Sequence, residues 1–186
     1  MKFKNTAIST LSAISFTAIS LLATPVAFAS GSHDDGHGTK KSSIGVAGKL
    51  ADVDRVIEIK MYDNYYEPEK IQIKKGETIR FKITNAGEYV HEFNIGTSTM
   101  HMEHQEEMMM MMEHGVLEAD KINHDMMKMD MGGGKTMDHN DPNSVLLEPA
   151  KSAEIIWNFT DAAKLEFACN VPGHYDSGMM GDVVFD

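Results

Sequence analysis

The chain has a single cysteine, Cys169, among its 186 residues. One thiol cannot close a bridge within its own chain, so a disulfide scaffold is excluded. An inert buried thiol, an intermolecular bridge and a metal thiolate remain open. Positive charge is also scarce: 17 Lys and Arg stand against 28 Asp and Glu, for a formal net charge of −11. That balance argues against nucleic acid as a partner, because phosphates call for Lys and Arg. It fits attraction to cations.

Apolar sequence at the N-terminus is too short and too interrupted for a bilayer span. Lys2 and Lys4 precede a small, apolar run from Ala7 to Ala23 that Ser and Thr break repeatedly, and Ala27-Phe28-Ala29 supplies an A-x-A site. A basic start, an apolar centre and a small-residue cleavage site predict a signal peptide over 1–29. Export to the periplasm follows, with no stable membrane anchor after cleavage.

Residues 30–52 read as a flexible tail. Its first part, SGSHDDGHGTKKSS, is polar and Gly-rich, and His33 and His37 are expected to be solvated. From 53 to 186 the pattern is that of one domain. Ile57, Ile59 and Met61 alternate with polar residues, as do Ile71 and Ile73, and Ile79, Phe81 and Ile83. Period-2 runs of this kind predict half-buried strands, with Pro68, Lys75-Gly76 and Asn85-Ala86-Gly87 as turns. Further strands are expected at 89–95, 153–159, 165–169 and 181–185. About seven short strands with no convincing amphipathic helix predict an all-β sandwich.

Residues 98–143 break that pattern and read as an insertion between two strands. They hold 12 of the 16 methionines and five of the nine histidines, with an unbroken run from Met108 to Met112. Five successive side chains point all round a helix and cannot form one stripe. A helix would also have to place Glu103, Glu106, Glu107 and Glu113 without burying charge. Two readings stay open: a disordered low-complexity loop, and a flexible trap of soft ligands. In the second, thioethers take Cu(I) and imidazoles take Cu(II) as well. Its candidate ligands are Met100, His101, Met102, His104, Met108, Met109, Met110, Met111, Met112 and His114.

The stretch CNVPGHYDSGMMG carries the main constellation. A loop leaving a strand at Cys169 and entering the next near Gly181 can turn a thiolate, an imidazole at His174 and a thioether at Met179 inward. A second histidine must come from elsewhere, and His91, between apolar neighbours in an expected strand, is the candidate. Two imidazoles and a thiolate with a weak axial thioether are the ligand field of blue-copper electron-transfer sites. Zinc on Cys and two His plus water is chemically possible, although a thioether adds little for zinc.

The run Glu67-Pro68-Glu69-Lys70-Ile71-Gln72-Ile73-Lys74-Lys75-Gly76-Glu77-Thr78-Ile79, followed by Asn85-Ala86-Gly87 and His91, resembles the first half of cupredoxins. The C-x4-H-x4-M spacing of Cys169, His174 and Met179 resembles the ligand loop of the plastocyanin and azurin group. The resemblance covers about 53–97 and 144–186. It implies a Greek-key sandwich and one type 1 copper held by His91, Cys169, His174 and Met179. Two departures stand out. Glu92 follows the first histidine where the family often has Asn, which leaves the hydrogen bonding around the ligands in question. Met180 adjoins Met179 and competes for the axial place, which the family's ligand loop assigns to Met179.

A dinuclear copper-thiolate centre needs a second cysteine, and a multicopper oxidase needs more histidines and more domains. The expectation is therefore a periplasmic copper-handling protein with one-electron chemistry and additional copper in the insertion. Met- and His-rich segments recur in exported copper-tolerance proteins, which the resemblance brings to bear on the insertion. The alternative is a dedicated electron shuttle between redox partners, with the insertion as a docking or spacer element. Enzymatic Cu(I) oxidation ranks below both, because four protein ligands leave little open coordination for oxygen.

Overall fold

The computed structural model describes residues 44–129 and 136–186. The expected signal peptide and the tail as far as residue 43 lie outside them. Ten strands follow in chain order: β1 (Val46–Ala47), β2 (Arg55–Met61), β3 (Tyr66–Glu67), β4 (Lys70–Ile73), β5 (Thr78–Asn85), β6 (His91–Gly96), β7 (Ser144–Leu147), β8 (Ser152–Asn158), β9 (Leu165–Ala168) and β10 (Met180–Phe185). Two helices, α1 (Ser98–Glu113) and α2 (His124–Met127), lie between β6 and β7.

The strands form two five-stranded sheets, β1-β8-β5-β2-β3 and β4-β10-β9-β6-β7. Between β3 and β6 the chain alternates between the sheets, and β2 lies parallel to β5 in consequence. β4 and β10, far apart in sequence, pair in the same parallel sense. This is the all-β sandwich that the period-2 runs predict. On β5, Ile79, Phe81 and Ile83 are fully buried, while Lys82 faces solvent. Phe81, Phe93, Phe159 and Phe167 meet in the interior with Tyr66. Each such side chain contributes about 1.5–3 kcal/mol by leaving water.

Two sequence expectations meet a different outcome. Within the segment 30–52 read as a tail, β1 pairs antiparallel with β8, and Trp157 donates its indole N–H to the carbonyl of Ile44 at 2.9 Å. Residues 44–52 are thus attached to the first sheet. The larger correction is the insertion, which is neither a structureless loop nor without a helix. α1 runs for 16 residues from the Thr97 N-cap, whose hydroxyl accepts from the Met100 amide, and stops before Gly115 at φ 72°. The helix buries a stripe rather than the whole methionine run. His101, Met108 and Met111 are buried and His104 nearly so, at spacings of three and four residues. Met109, Met110, Met112 and the four glutamates point outward, so no glutamate charge of α1 is buried.

That helix explains the one strand without alternation. All six residues of β6 are buried. His91, Phe93 and Ile95 face the sandwich interior, whereas Glu92, Asn94 and Gly96 lie under the insertion. A Cβ on Gly96 would lie 3.2 Å from the His101 ring, so glycine lets the helix close on the strand. Among the described residues, no helix is long and apolar enough to cross a membrane.

Candidate metal centre

His91 opens β6, Cys169 follows the end of β9, and His174 sits in the turn-rich loop between β9 and β10. The loop is closed by its own backbone. The Cys169 amide donates to the Met179 carbonyl at 3.1 Å, and the Met179 amide donates to the His174 carbonyl at 3.0 Å. Gly178 adopts φ 92°, a conformation that costs a residue with a Cβ, so the turn before Met179 requires glycine. Tyr175 pins the loop from outside, its hydroxyl donating to Glu166 at 2.5 Å.

These elements bring three donor atoms together. The Cys169 Sγ lies 3.3 Å from His174 Nδ1 and 3.9 Å from His91 Nδ1. One donor atom from each residue falls within 4.8 Å of the others. The two imidazole rings are 5.0 Å apart, centre to centre. Cys169, His91 and Met179 are wholly buried, and His174 is partly exposed. Met180, the rival for the axial place, begins β10 and pairs with Ala168.

The surroundings prepare these groups for a cation. Burial pushes the Cys169 thiol up to about 12, although the Glu92 amide donates to its sulfur at 3.3 Å. Burial lowers both imidazoles below their ordinary values, against the pull of Asp63. They are therefore neutral near pH 7, with lone pairs available, while the sulfur still carries a proton that a metal must displace. Two neutral imidazoles and a displaceable thiol are a donor set that a soft or borderline transition ion fits.

Asp63 is a residue that sequence reasoning missed. Its Oδ1 lies 3.2 Å from His91 Nε2 and also accepts from the amides of Glu88 and Tyr89. It fixes the ring so that Nδ1 faces the thiol, as a carboxylate behind a metal-binding histidine does. Gly87 makes room for the contact, since a Cβ there would overlap Asp63 Oδ1 and come within 2.9 Å of His91 Nε2. Asp63 lies 28 residues from His91 in a loop without a motif. Only the Asn85-Ala86-Gly87 turn carried a signal.

The candidates in the insertion divide differently. His101 is packed against Tyr175 and meets the Asn170 amide nitrogen at 3.2 Å, so it braces the ligand loop. His114 caps α1 through the Met110 carbonyl at 2.8 Å. Met108 and Met111 belong to the core. Met102, Met109, Met110 and Met112 are exposed on the outer side of α1, Met102 at 58%, and Met100 is exposed at the edge beside Gly96 of β6. His104 joins a second histidine, His139, beside Glu92.

Glu92, the departure noted beside His91, is fully buried and held well below the usual carboxylate range. Burial opposes its charge, but hydrogen bonds and the positive potential of His104 and His139 prevail. Its Oε2 accepts from the Asn170 amide at 3.1 Å and side chain at 2.8 Å. Glu92 therefore ties β6 to the residue after Cys169.

Comparison with known proteins agrees with this architecture. Residues 20–122 match the family model described as a Cupredoxin-like domain. The chain is 46% identical over 147 residues to a protein of Pseudomonas aeruginosa named copper-resistant cuproprotein CopI, across 76% of this chain and 81% of that one. A protein of the same name from Rubrivivax gelatinosus is 34% identical over 141 residues, covering 75% of this chain and 72% of the other. Among solved structures, reduced auracyanin from Roseiflexus castenholzii superposes with a TM-score of 0.50 at 20% identity, over 71% of this chain and 96% of that one. Auracyanin B does so with 0.52 at 14% identity, over 77% and 95%. At those identities the likeness concerns the fold. The sandwich, the family match and the two relatives lead to one assignment: the chain belongs to the cupredoxin family.

Proposed function

We propose that this protein is an exported, periplasmic copper-handling cupredoxin that serves copper tolerance and is not an enzyme. His91, Cys169 and His174 would hold one copper ion, with the Met179 thioether as a further, weaker donor. The observation that carries this reading is the convergence of two imidazole Nδ1 atoms on one buried thiol, at 3.3 and 3.9 Å. The relatives named copper-resistant cuproproteins favour copper over zinc for that set. Bound copper supplies reversible one-electron chemistry between its two common oxidation states. The chain's own part is to hold the ligands in place. Asp63 orients His91, the Glu92 amide donates to the Cys169 sulfur, and the backbone bonds of the loop fix His174 and Met179. His174 is the exposed edge of the set, so a redox partner approaches there.

The outer side of α1 adds a second capacity. Its four exposed methionines, Met102, Met109, Met110 and Met112, present unprotonated thioethers that favour Cu(I). They form a capture surface on a folded helix, not on a loose loop. Copper titration under reducing conditions tests it. The intact protein is expected to bind more than one Cu(I), and replacing Met102, Met109, Met110 and Met112 with Leu is expected to remove the excess. Equal stoichiometry in the two proteins contradicts a capture surface.

A further inference from the structure

We propose that Glu92, His104 and His139 form a second metal site that takes Cu(II). It shares no ligand with the centre around Cys169, so either can fail alone. Three elements supply it: Glu92 comes from β6, His104 from α1, and His139 from the segment before β7. His104 Nε2 lies 2.9 Å from Glu92 Oε1, His139 Nε2 lies 2.7 Å from the same oxygen, and the two nitrogens are 3.1 Å apart.

Hydrogen bonds alone serve this cluster poorly. Besides the two imidazoles, Oε1 receives the Ser144 hydroxyl at 2.5 Å and the Asn94 side-chain amide at 3.2 Å. Four donors thus crowd a single oxygen that offers about two lone pairs. A proton on each Nε2 would also set two N–H groups against one another. One cation among the three atoms, displacing those protons, uses both imidazole lone pairs and the carboxylate charge together.

The surroundings are built as they are around metal-binding residues. His104 Nδ1 meets Glu107 Oε2 at 3.1 Å, which directs its Nε2 inward. Asn170 occupies Glu92 Oε2 with two hydrogen bonds and leaves Oε1 to the site. Glu92 and His139 are nearly or wholly buried, and His104 is 11% exposed. Among the described residues, His139 Nδ1 is buried without a hydrogen-bond partner, a cost the fold bears to bring this ring to Glu92. An open cleft lined by His139, Ser144, Ile122 and Met127 leaves a side for a fourth ligand or for entry.

The distances select the ion. With bonds of about 2.0 Å, separations of 2.7, 2.9 and 3.1 Å correspond to angles of about 85–100° at the metal. Angles near 90° between nitrogen and oxygen donors suit tetragonal Cu(II), and copper heads the divalent affinity series. A linear Cu(I) between the imidazoles needs its nitrogens about 4 Å apart, twice the bond length.

The test uses the metal-free full-length chain carrying Cys169→Ser and His174→Gln, which removes the sulfur and one of the two imidazoles of the first centre. Cu(II) is titrated against a competing chelator and followed by electron paramagnetic resonance. One tightly held equivalent with a tetragonal signal split by two imidazole nitrogens is expected, and it is lost when His104→Gln and His139→Gln are added. The His104→Gln, His139→Gln pair in the chain with Cys169 and His174 intact is expected to keep its blue absorption, which establishes that it folds. Unchanged Cu(II) affinity and signal after loss of both histidines overturn the site. Uptake of Zn(II) with no tight Cu(II) overturns it equally. Absence of a blue band in the chain with Cys169 and His174 refutes the thiolate centre alone, and the second site then stands or falls by the titration on the Cys169→Ser, His174→Gln background.

Discussion

His91 Nε2 lies 3.2 Å from Asp63 Oδ1, and that contact turns the other ring nitrogen toward Cys169. A carboxylate in this position raises the basicity of a metal-binding imidazole and fixes its orientation. Asp63→Asn keeps the shape and removes the charge. Copper affinity at the Cys169 centre is expected to fall about 10-fold, within the range for such partners. The reduction potential is expected to rise, because the ring donates less to the oxidised ion. Affinity and potential unchanged from the parent would show that Asp63 does not act on the site.

Gly87→Ala tests the same contact from the other side. The added methyl overlaps Asp63 Oδ1 and crowds His91 Nε2. Overpacking of this kind costs about 1–3 kcal/mol. The variant is expected to lose stability in urea unfolding and to weaken copper binding as Asp63→Asn does.

Burial holds the Cys169 thiol at about 12, so on the proposed reading copper would bind there only by displacing a proton. Both imidazoles are lowered by burial and contribute no protons above neutrality. Copper affinity at this centre should therefore rise about tenfold per pH unit from pH 7 to 9, the slope for a single released proton. Calorimetry in buffers of different ionisation enthalpy counts that proton. The His104→Gln, His139→Gln background keeps the second cluster out of the measurement.

The methionines of α1 divide by face. Met108 and Met111 are wholly buried, so Ala at either is expected to cost about 2–5 kcal/mol. Met109 and Met112 are exposed, and Ala there is expected to change stability by less than about 0.5 kcal/mol. Thermal or denaturant unfolding separates the two classes, and equal costs at all four would contradict the packing of α1.

Much of the sandwich was legible in the residues. Ile79, Phe81 and Ile83 alternate because one face of β5 is buried and the other is wet, and the expected strand at 79–84 appears as Thr78–Asn85. The strand expected at 153–159 appears as Ser152–Asn158 for the same reason. β1 and β3 have two residues each, too few for any period to register. α1 was missed because its inward stripe is His101, His104, Met108 and Met111. Histidines count as polar in a hydropathy pattern, and methionines on the outer side blurred the contrast. The Thr97 cap and Gly115 stop were readable signs that the methionine run concealed. The C-x4-H-x4-M loop was local and therefore visible. Asp63, His139 and the bonds of Glu92 depend on segments that only the fold brings together.

The most direct measurement is the visible spectrum of the copper-loaded protein with Cys169 present and replaced by Ser. An intense sulfur-to-copper absorption in the parent, absent from a folded Cys169→Ser variant, is the predicted result. A parent that takes up copper yet stays colourless, or a variant with an undiminished band, would contradict a copper ion bound to that sulfur.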